Sequence, residues 1–269
     1  MPDEKTILII IEGEKTEKQI FVNIEKIFFN YDERKRADVI PIVLLPAKQN
    51  IYMLWEKLKD DEYLDVIELL REQDDEAAKI LELYERDNIA ETYLFFDYDS
   101  QHLNKADKEK YYQAIPDMLQ IFSDETDLGK LYINYPMVES LRDMDNSGNC
   151  EMHCVVKLDE ISNYKNIVGS ITAFHDARKY DYTIWQLFCQ RAARRADCLV
   201  NNKKPGCCHG IQEISSVEVE NFPKAYTQDV LYESELCNYT CNGEVLVLCS
   251  IPLFLLDYFP GSVRRKLLG

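Results

Sequence analysis

Residues 6–21 read TILIIIEGEKTEKQIF, and the fold turns on how this stretch divides. Ile7 to Ile11 is a short unbroken apolar run, the pattern of a strand covered on both faces and so of a parallel sheet. From Thr16 onward Ile20, Phe21, Ile24, Ile27 and Phe28 recur on one face of a helix. Glu12 and Gly13 stand between the two, so strand, tight turn and helix follow in immediate succession. A buried strand that ends on a carboxylate, with Glu14 and Glu17 close behind, raises the question of whether these acids decorate a surface or build a site.

Working outward, a second strand is predicted over Val39–Leu45 (VIPIVLL) and a helix over Tyr52–Leu58. Residues 59–91 hold 13 acidic side chains against 4 basic ones, yet Leu64, Ile67, Leu70, Ile80, Leu81 and Leu83 keep helical spacing. This predicts an acidic helical insert spanning about residues 50–91, its charge first of all a solvated face and otherwise a docking surface for a basic partner. Thr92–Phe96 (TYLFF) predicts a third strand that ends on Asp97-Tyr98-Asp99. A helix near Lys108–Phe122, kinked or restarted at Pro116, and a fourth strand in KLYINYP, residues 130–136, complete the alternation.

Strands alternating with helices predict an α/β class over residues 1–145, a mostly parallel Rossmann-like sheet flanked by helices with right-handed crossovers. Ligands on such sheets sit at the carboxyl ends of the strands. Residues 146–269 read as an α+β extension packing back on the same core. It holds a basic helix over Tyr182–Val200, a strand in EVLVLCS (residues 244–250) and an apolar helix in IPLFLLDYF (residues 251–259).

A formal charge of −17 over 269 residues argues against a protein that coats nucleic acid or an anionic membrane by bulk attraction. Any nucleic-acid contact must be local, or helped by a metal ion or a partner. No segment has the roughly 18 uninterrupted apolar residues of a membrane span, and MPDEKT is charged where a signal peptide would turn apolar, so a cytoplasmic protein is expected. The nine cysteines all lie between Cys150 and Cys249 and are expected to be reduced thiols. Cys150 with His153 and Cys154, Cys207 and Cys208 with His209, and Cys237 with Cys241 invite a zinc reading, but none has the paired spacing of a structural zinc site.

The carboxylates that end apolar strands carry the chemistry. Parallel strand ends lie side by side, so Glu12 and the Asp97/Asp99 pair, far apart in sequence, can converge. Carboxylates so placed repel one another unless a cation sits among them, and an oxygen-only donor set suits Mg²⁺ or Mn²⁺ rather than zinc. Glu17, in the first turn of the following helix, is placed to reach back to the same cation, whereas Glu14 is expected to face solvent. Basic residues are scarce, so the cluster Arg178, Lys179, Arg191, Arg194, Arg195, Lys203 and Lys204 stands out. Arg191, Arg194 and Arg195 share a helix face at i, i+3 and i+4, either as a phosphate-binding stripe or as ion-pair partners of the acidic insert. His153 and His175 have no recognisable catalytic partner, and neither a nucleophile elbow nor a P-loop is present.

A strand ending in Glu-Gly, followed by a strand ending in Asp-x-Asp, resembles the Toprim domain of topoisomerases, primases and related nucleases. EGEKTE running into an apolar helix is most similar to the Toprim nucleases of phage defence, the overcoming-lysogenisation-defect (OLD) and RloB-like families, over roughly residues 6 to 145. The resemblance implies a Toprim-like sheet and a metal-dependent endonuclease cutting DNA or RNA, transfer RNA included. Glu12 then takes the catalytic and metal-binding glutamate's place, Gly13 that of the turn glycine, and Asp97 and Asp99 those of the metal-binding aspartates. Glu17 matches the second acid of the defence-nuclease form, and Glu139, in NYPMVESL, is a further candidate ligand. Lys15 and the arginines Arg191, Arg194 and Arg195 are the candidates for nucleic-acid contact. An ATPase sensor is the implied protein partner, with a homo-oligomer also compatible. The OLD-type ATPase itself is missing from this chain, and Gln101-His102 replaces a further acid after Asp-Tyr-Asp-Ser. The alternative is a Toprim-like subunit that no longer cuts and serves for docking or regulation.

Overall fold

The computed structural model describes residues 5–29, 41–60, 64–84, 86–98, 105–143, 155–171, 174–201 and 216–269. Two compact units make up the chain: Met1–Phe96 with His102–Tyr132, and Asp97–Gln101 with Ile133–Gly269. The second unit thus takes in Asp97, the last residue of the third strand. Asp99 lies outside the described residues.

The first unit carries a five-stranded sheet in the order β2-β1-β3-β5-β4. β1 (Thr6–Ile11) is an interior strand, buried at every residue, as its apolar run requires. It pairs in parallel with β2 (Ile42–Pro46) on one side and β3 (Ile89–Asp97) on the other. The strand after it, β5 (Gly129–Asn134), pairs antiparallel with the two-residue β4 (Ser123–Asp124). This is the mixed α/β class with a mostly parallel sheet flanked by helices. Each fully buried Ile or Leu of β1 contributes about 1.5–3 kcal/mol over exposure, so this strand is firmly anchored.

The first helix begins at the expected Thr16, the second at Ile51, one residue before the expected Tyr52, and the helix that follows β3 at Lys105, three residues before the expected Lys108. α1 (Thr16–Ile24) buries Ile20, Phe21 and Ile24, continues as a wider π turn over Glu25–Phe29, and sets Phe21 against Phe95 at 4.7 Å between ring centroids. α2 (Ile51–Leu58) is capped by Asn50, whose side chain accepts from the Met53 N–H. The acidic stretch forms a pair of helices, α3 (Val66–Gln73) and α4 (Asp75–Leu81). Part of its acidity is capping chemistry, since Asp65 accepts from the Glu68 N–H and Asp74 from those of Glu76 and Ala77. Ile67, Leu70 and Leu81 are buried, whereas Leu83 is exposed.

Three expectations needed correction. β2 starts at Ile42, and Val39 and Ile40 lie outside the described residues. β3 starts three residues early, at Ile89. α5 (Lys105–Ile121) runs through Pro116 as one helix, because that proline sits on the exposed face where the carbonyl it orphans can meet water.

In the second unit β6 (Val155–Lys157) and β7 (Glu244–Leu246) form an antiparallel pair with Val156 opposite Val245. Around them lie α6 (Tyr164–Gly169), α7 (Tyr182–Val200), α8 (Ser216–Ala225), α9 (Gln228–Asn242), α10 (Ser250–Tyr258) and α11 (Gly261–Leu268). α7 matches the expected basic helix, and its Trp185 and Phe188 pack edge to face with each other and with Tyr180. α10 is buried from Ser250 to Leu256. Two buried arginines tie the unit together through backbone carbonyls. Arg264 donates to those of Leu256, Val219 and Phe259, and Arg195 to those of Val247 and Asp143. No helix among the described residues is long and apolar enough to cross a membrane.

Candidate functional site at the strand ends

At the end of β1 the backbone of Glu12 is held on both sides. Its N–H donates to the carbonyl of Phe95 on β3 at 3.1 Å, and its carbonyl accepts from the N–H of Lys48, just past β2, at 3.2 Å. The half-buried side chain therefore leaves the sheet from a fixed point.

Glu17 does reach back. It is buried at 6% exposure, and its Oε1 accepts the Gly13 N–H at 3.0 Å. That contact explains the glycine, for a Cβ on residue 13 would stand 2.9 Å from both carboxylate oxygens of Glu17. Gly13 is required by the close approach of a carboxylate, not by a left-handed backbone. Lys15, exposed, occupies the cap position of α1 without a side-chain cap bond.

Glu14 is exposed, as expected, and meets Lys48. The Lys48 ammonium also lies 2.8 Å from Asp74 and 2.5 Å from Glu76. Its hydrogen bonds to Asp74 and Glu76 raise its pKa, and the same bond lowers that of Asp74. Lys48 has a positive φ of 54°, a conformation that costs a side chain with a Cβ, and the carboxylates around it hold it there. The acidic insert is thereby pinned beside the Glu12–Glu14 turn.

Asp97 ends β3 half-buried, with Oδ1 accepting from the Asn134 side-chain amide at 3.1 Å and from the Val138 N–H at 2.9 Å. Asn134, itself 1% exposed, is a relay. Its Oδ1 accepts from the Ser250 N–H, the Ser250 hydroxyl and the Cys249 thiol, which ties Asp97 to the start of α10. Burial first, and then the charges of Asp97 and Glu139, push the Cys249 thiol up to about 12, against hydrogen bonds that lower it. Cys249 is therefore a neutral donor and not a nucleophile.

Glu139 stands in a 3₁₀ turn, Val138–Asp143, at 2% exposure. Its Oε1 lies 2.8 Å from the Lys165 ammonium, an ion-pair contact off the axis of a hydrogen bond. The arginines separate. Arg191 and Arg194 are half-buried, but Arg195 is only 6% exposed and is consumed by two backbone carbonyls, so the three do not form one solvated stripe.

Among the described residues no group of three His, Cys, Asp or Glu side chains lies close enough to hold a metal ion, Asp99 being outside them. Sequence reasoning missed Asn134, although the rule that picked out Glu12 and Asp97, a polar residue ending an apolar strand, applies to it equally. Lys165 and Ser250 carried no such signal.

These residues define a mixed α/β protein with carboxylates at the carboxyl ends of neighbouring parallel strands. No protein-family model matches the chain, and neither a curated protein nor a solved structure matches it.

Proposed function

We propose that this protein is a metal-dependent phosphodiesterase of the Toprim nuclease type, an endonuclease on DNA or RNA that serves as the effector of a phage-defence system under an ATPase partner. The observation that carries this reading is Glu17 folded back on Gly13 beside Glu12, at the carboxyl end of the most buried strand. Asp97 ends the parallel neighbour of that strand.

The donor set is carboxylate oxygen alone, which suits Mg²⁺ or Mn²⁺. Glu12, Asp97 and Asp99 would hold the cation, with Glu17 and Glu139 as further candidate ligands. When bound, it supplies an acidified water and neutralises charge on the phosphate. The chain's own part is positional. Asn134 and the Val138 N–H fix one oxygen of Asp97, and Gly13 fixes Glu17. Lys15, exposed at the start of α1, would be the basic residue that meets a phosphate.

A strongly acidic chain repels the polyanion it must cut, which supports a partner that supplies binding. The second reading, a docking subunit that does not cut, draws on Lys165 already neutralising Glu139 and on Lys48 ordering the acidic insert.

Purified protein is incubated with Mg²⁺ or Mn²⁺ and DNA, total RNA or transfer RNA. Glu12→Gln and Asp97→Asn are each expected to lower cleavage at least about a hundredfold. Glu12→Gln should melt no lower than wild type, whereas Asp97→Asn, which weakens the acceptor of the Asn134 amide and the Val138 N–H, should melt slightly lower. Wild-type cleavage by either variant sinks the assignment. Absence of both cleavage and a Mg²⁺-dependent thermal shift selects the docking reading.

A further inference from the structure

α9 ends on Cys237-Asn238-Tyr239-Thr240-Cys241-Asn242, closed by Gly243 in the left-handed conformation. Its two cysteines lie one turn apart on one helix face, both exposed, with their sulfurs 3.9 Å from each other. The other described cysteines, Cys189, Cys198 and Cys249, are buried.

The spacing discriminates between the things two thiols can do. A disulfide needs Cβ atoms about 3.5–4.5 Å apart, whereas helix neighbours at i and i+4 hold theirs about 5–6 Å apart. Regular helix therefore resists the bond. Two thiolates on one tetrahedral ion, with metal–sulfur distances of about 2.3 Å, stand about 3.8 Å apart. The observed sulfur separation meets that distance without moving the backbone.

The surroundings favour a cation as well. The last carbonyls of a helix carry partial negative charge, and the chain as a whole is acidic. Thr240 donates its hydroxyl to the carbonyls of Leu236 and Cys237, which stiffens the turn bearing both sulfurs.

We propose that Cys237 and Cys241 form an open surface site for one thiophilic divalent ion, of the Zn²⁺ or Cd²⁺ kind, with the remaining positions held by water. Each sulfur gives its proton to solvent as its lone pair forms the metal bond, so binding is redox-neutral and releases about two protons per ion. The site takes soft ions, whereas the carboxylates at the strand ends suit hard ones. Because it lies on the surface of one helix, removing the ion leaves the fold intact.

The reduced full chain is titrated with Cd²⁺ alone, following the ultraviolet thiolate-to-cadmium band and proton release. Wild type is compared with Cys237→Ser, Cys241→Ser and the double variant, because the chain has other cysteines and only the difference is diagnostic. The double variant is expected to bind about one ion fewer per chain and to release about two protons fewer. Each single variant loses the same ion, with melting temperatures unchanged in the absence of metal. Cd²⁺ should also protect Cys237 and Cys241 of the wild type from alkylation, a reading that needs no variant. Equal stoichiometry and affinity in wild type and double variant, retention of the ion by a single variant, or no protection of the pair overturns the proposal. One ion per two chains overturns it too, since the site would then be shared and not open.

Discussion

The carboxyl ends of β1 and β3 solve the same problem, holding a carboxylate still, by opposite means. At β1 the tie is local: Glu17 bonds Gly13 four residues away, and a missing Cβ makes room for it. At β3 the ties are distant. Asp97 is held by Asn134 and Val138, 37 and 41 residues on, and Asn134 in turn by Ser250, a further 116 residues away. A local tie adds little to the stability of the chain and much to the position of one group. A distant tie closes long loops and carries both.

Asn134→Ala tests the distant end and has the largest expected effect. It strips Asp97 of a donor and leaves the Ser250 N–H and hydroxyl without their acceptor, in a position 1% exposed. The expected loss is about 2–4 kcal/mol of unfolding free energy, with cleavage falling too, measured by denaturant titration and the nuclease assay. Unchanged stability would show that Asn134 does not carry the link.

Glu235 tests a tie of intermediate reach in the same unit, 11 residues long. Fully buried on α9, it accepts the Leu246 N–H of β7 with one oxygen and has no hydrogen-bond partner for the other. Burial holds its pKa well above the usual carboxylate value, so it is neutral in the fold, while the unfolded chain ionises it above about 4.5. The unfolded state then binds fewer protons, and stability falls as pH rises from that point toward the folded pKa, by up to about 1.4 kcal/mol per pH unit. Glu235→Gln keeps an acceptor for Leu246 and removes the ionisation. Its melting temperature should exceed wild type at about pH 8, by about 2–4 °C for each kcal/mol recovered, and converge with it near about pH 4. A pH-independent difference would place the charge elsewhere.

Gly13→Ala tests the local end, with a smaller effect on the fold. The added Cβ meets only the end of the Glu17 side chain, which can swing away, and Gly13 has no positive φ to forbid alanine. Stability is expected to shift by less than about 1 kcal/mol, while displaced Glu17 costs activity about tenfold or more. A large fall in melting temperature with activity intact would reverse the contrast between the two strand ends.

The same distinction decides what could be read in advance. β1, the Glu12–Gly13 turn, α1 and the reach of Glu17 all follow from a dozen adjacent residues, and the sequence pattern exposes them. α7 matched its expected bounds, Tyr182–Val200, and the structure adds the cap, Asp181 accepting the Ile184 N–H. Asn134 joining Asp97 to Ser250 was not, because no local spacing says which strand end faces which helix. The burial of Arg195 was hidden likewise, since its carbonyl partners, Val247 and Asp143, lie 52 residues away in opposite directions.

That burial divides the three arginines of α7, and the smallest effect on stability belongs to the two that are not buried. Arg195→Gln should melt well below wild type, for it leaves two buried carbonyls without a charged donor, a loss of about 1.5–3 kcal/mol or more. Arg191 and Arg194 remain half-buried on the same helix, which leaves them as the pair to test for phosphate binding. If they meet a phosphate backbone, changing both to glutamine should weaken nucleic-acid binding across all sequences. It should also flatten the log-log salt dependence by about one unit for each phosphate no longer neutralised. Cleavage at saturating substrate should persist, because uniform binding is removed while the carboxylates are untouched. Melting should barely change, in contrast to Arg195→Gln. An unchanged salt slope in the double variant places the nucleic-acid path away from α7, leaving Lys15 at the start of α1 as the basic residue to test next.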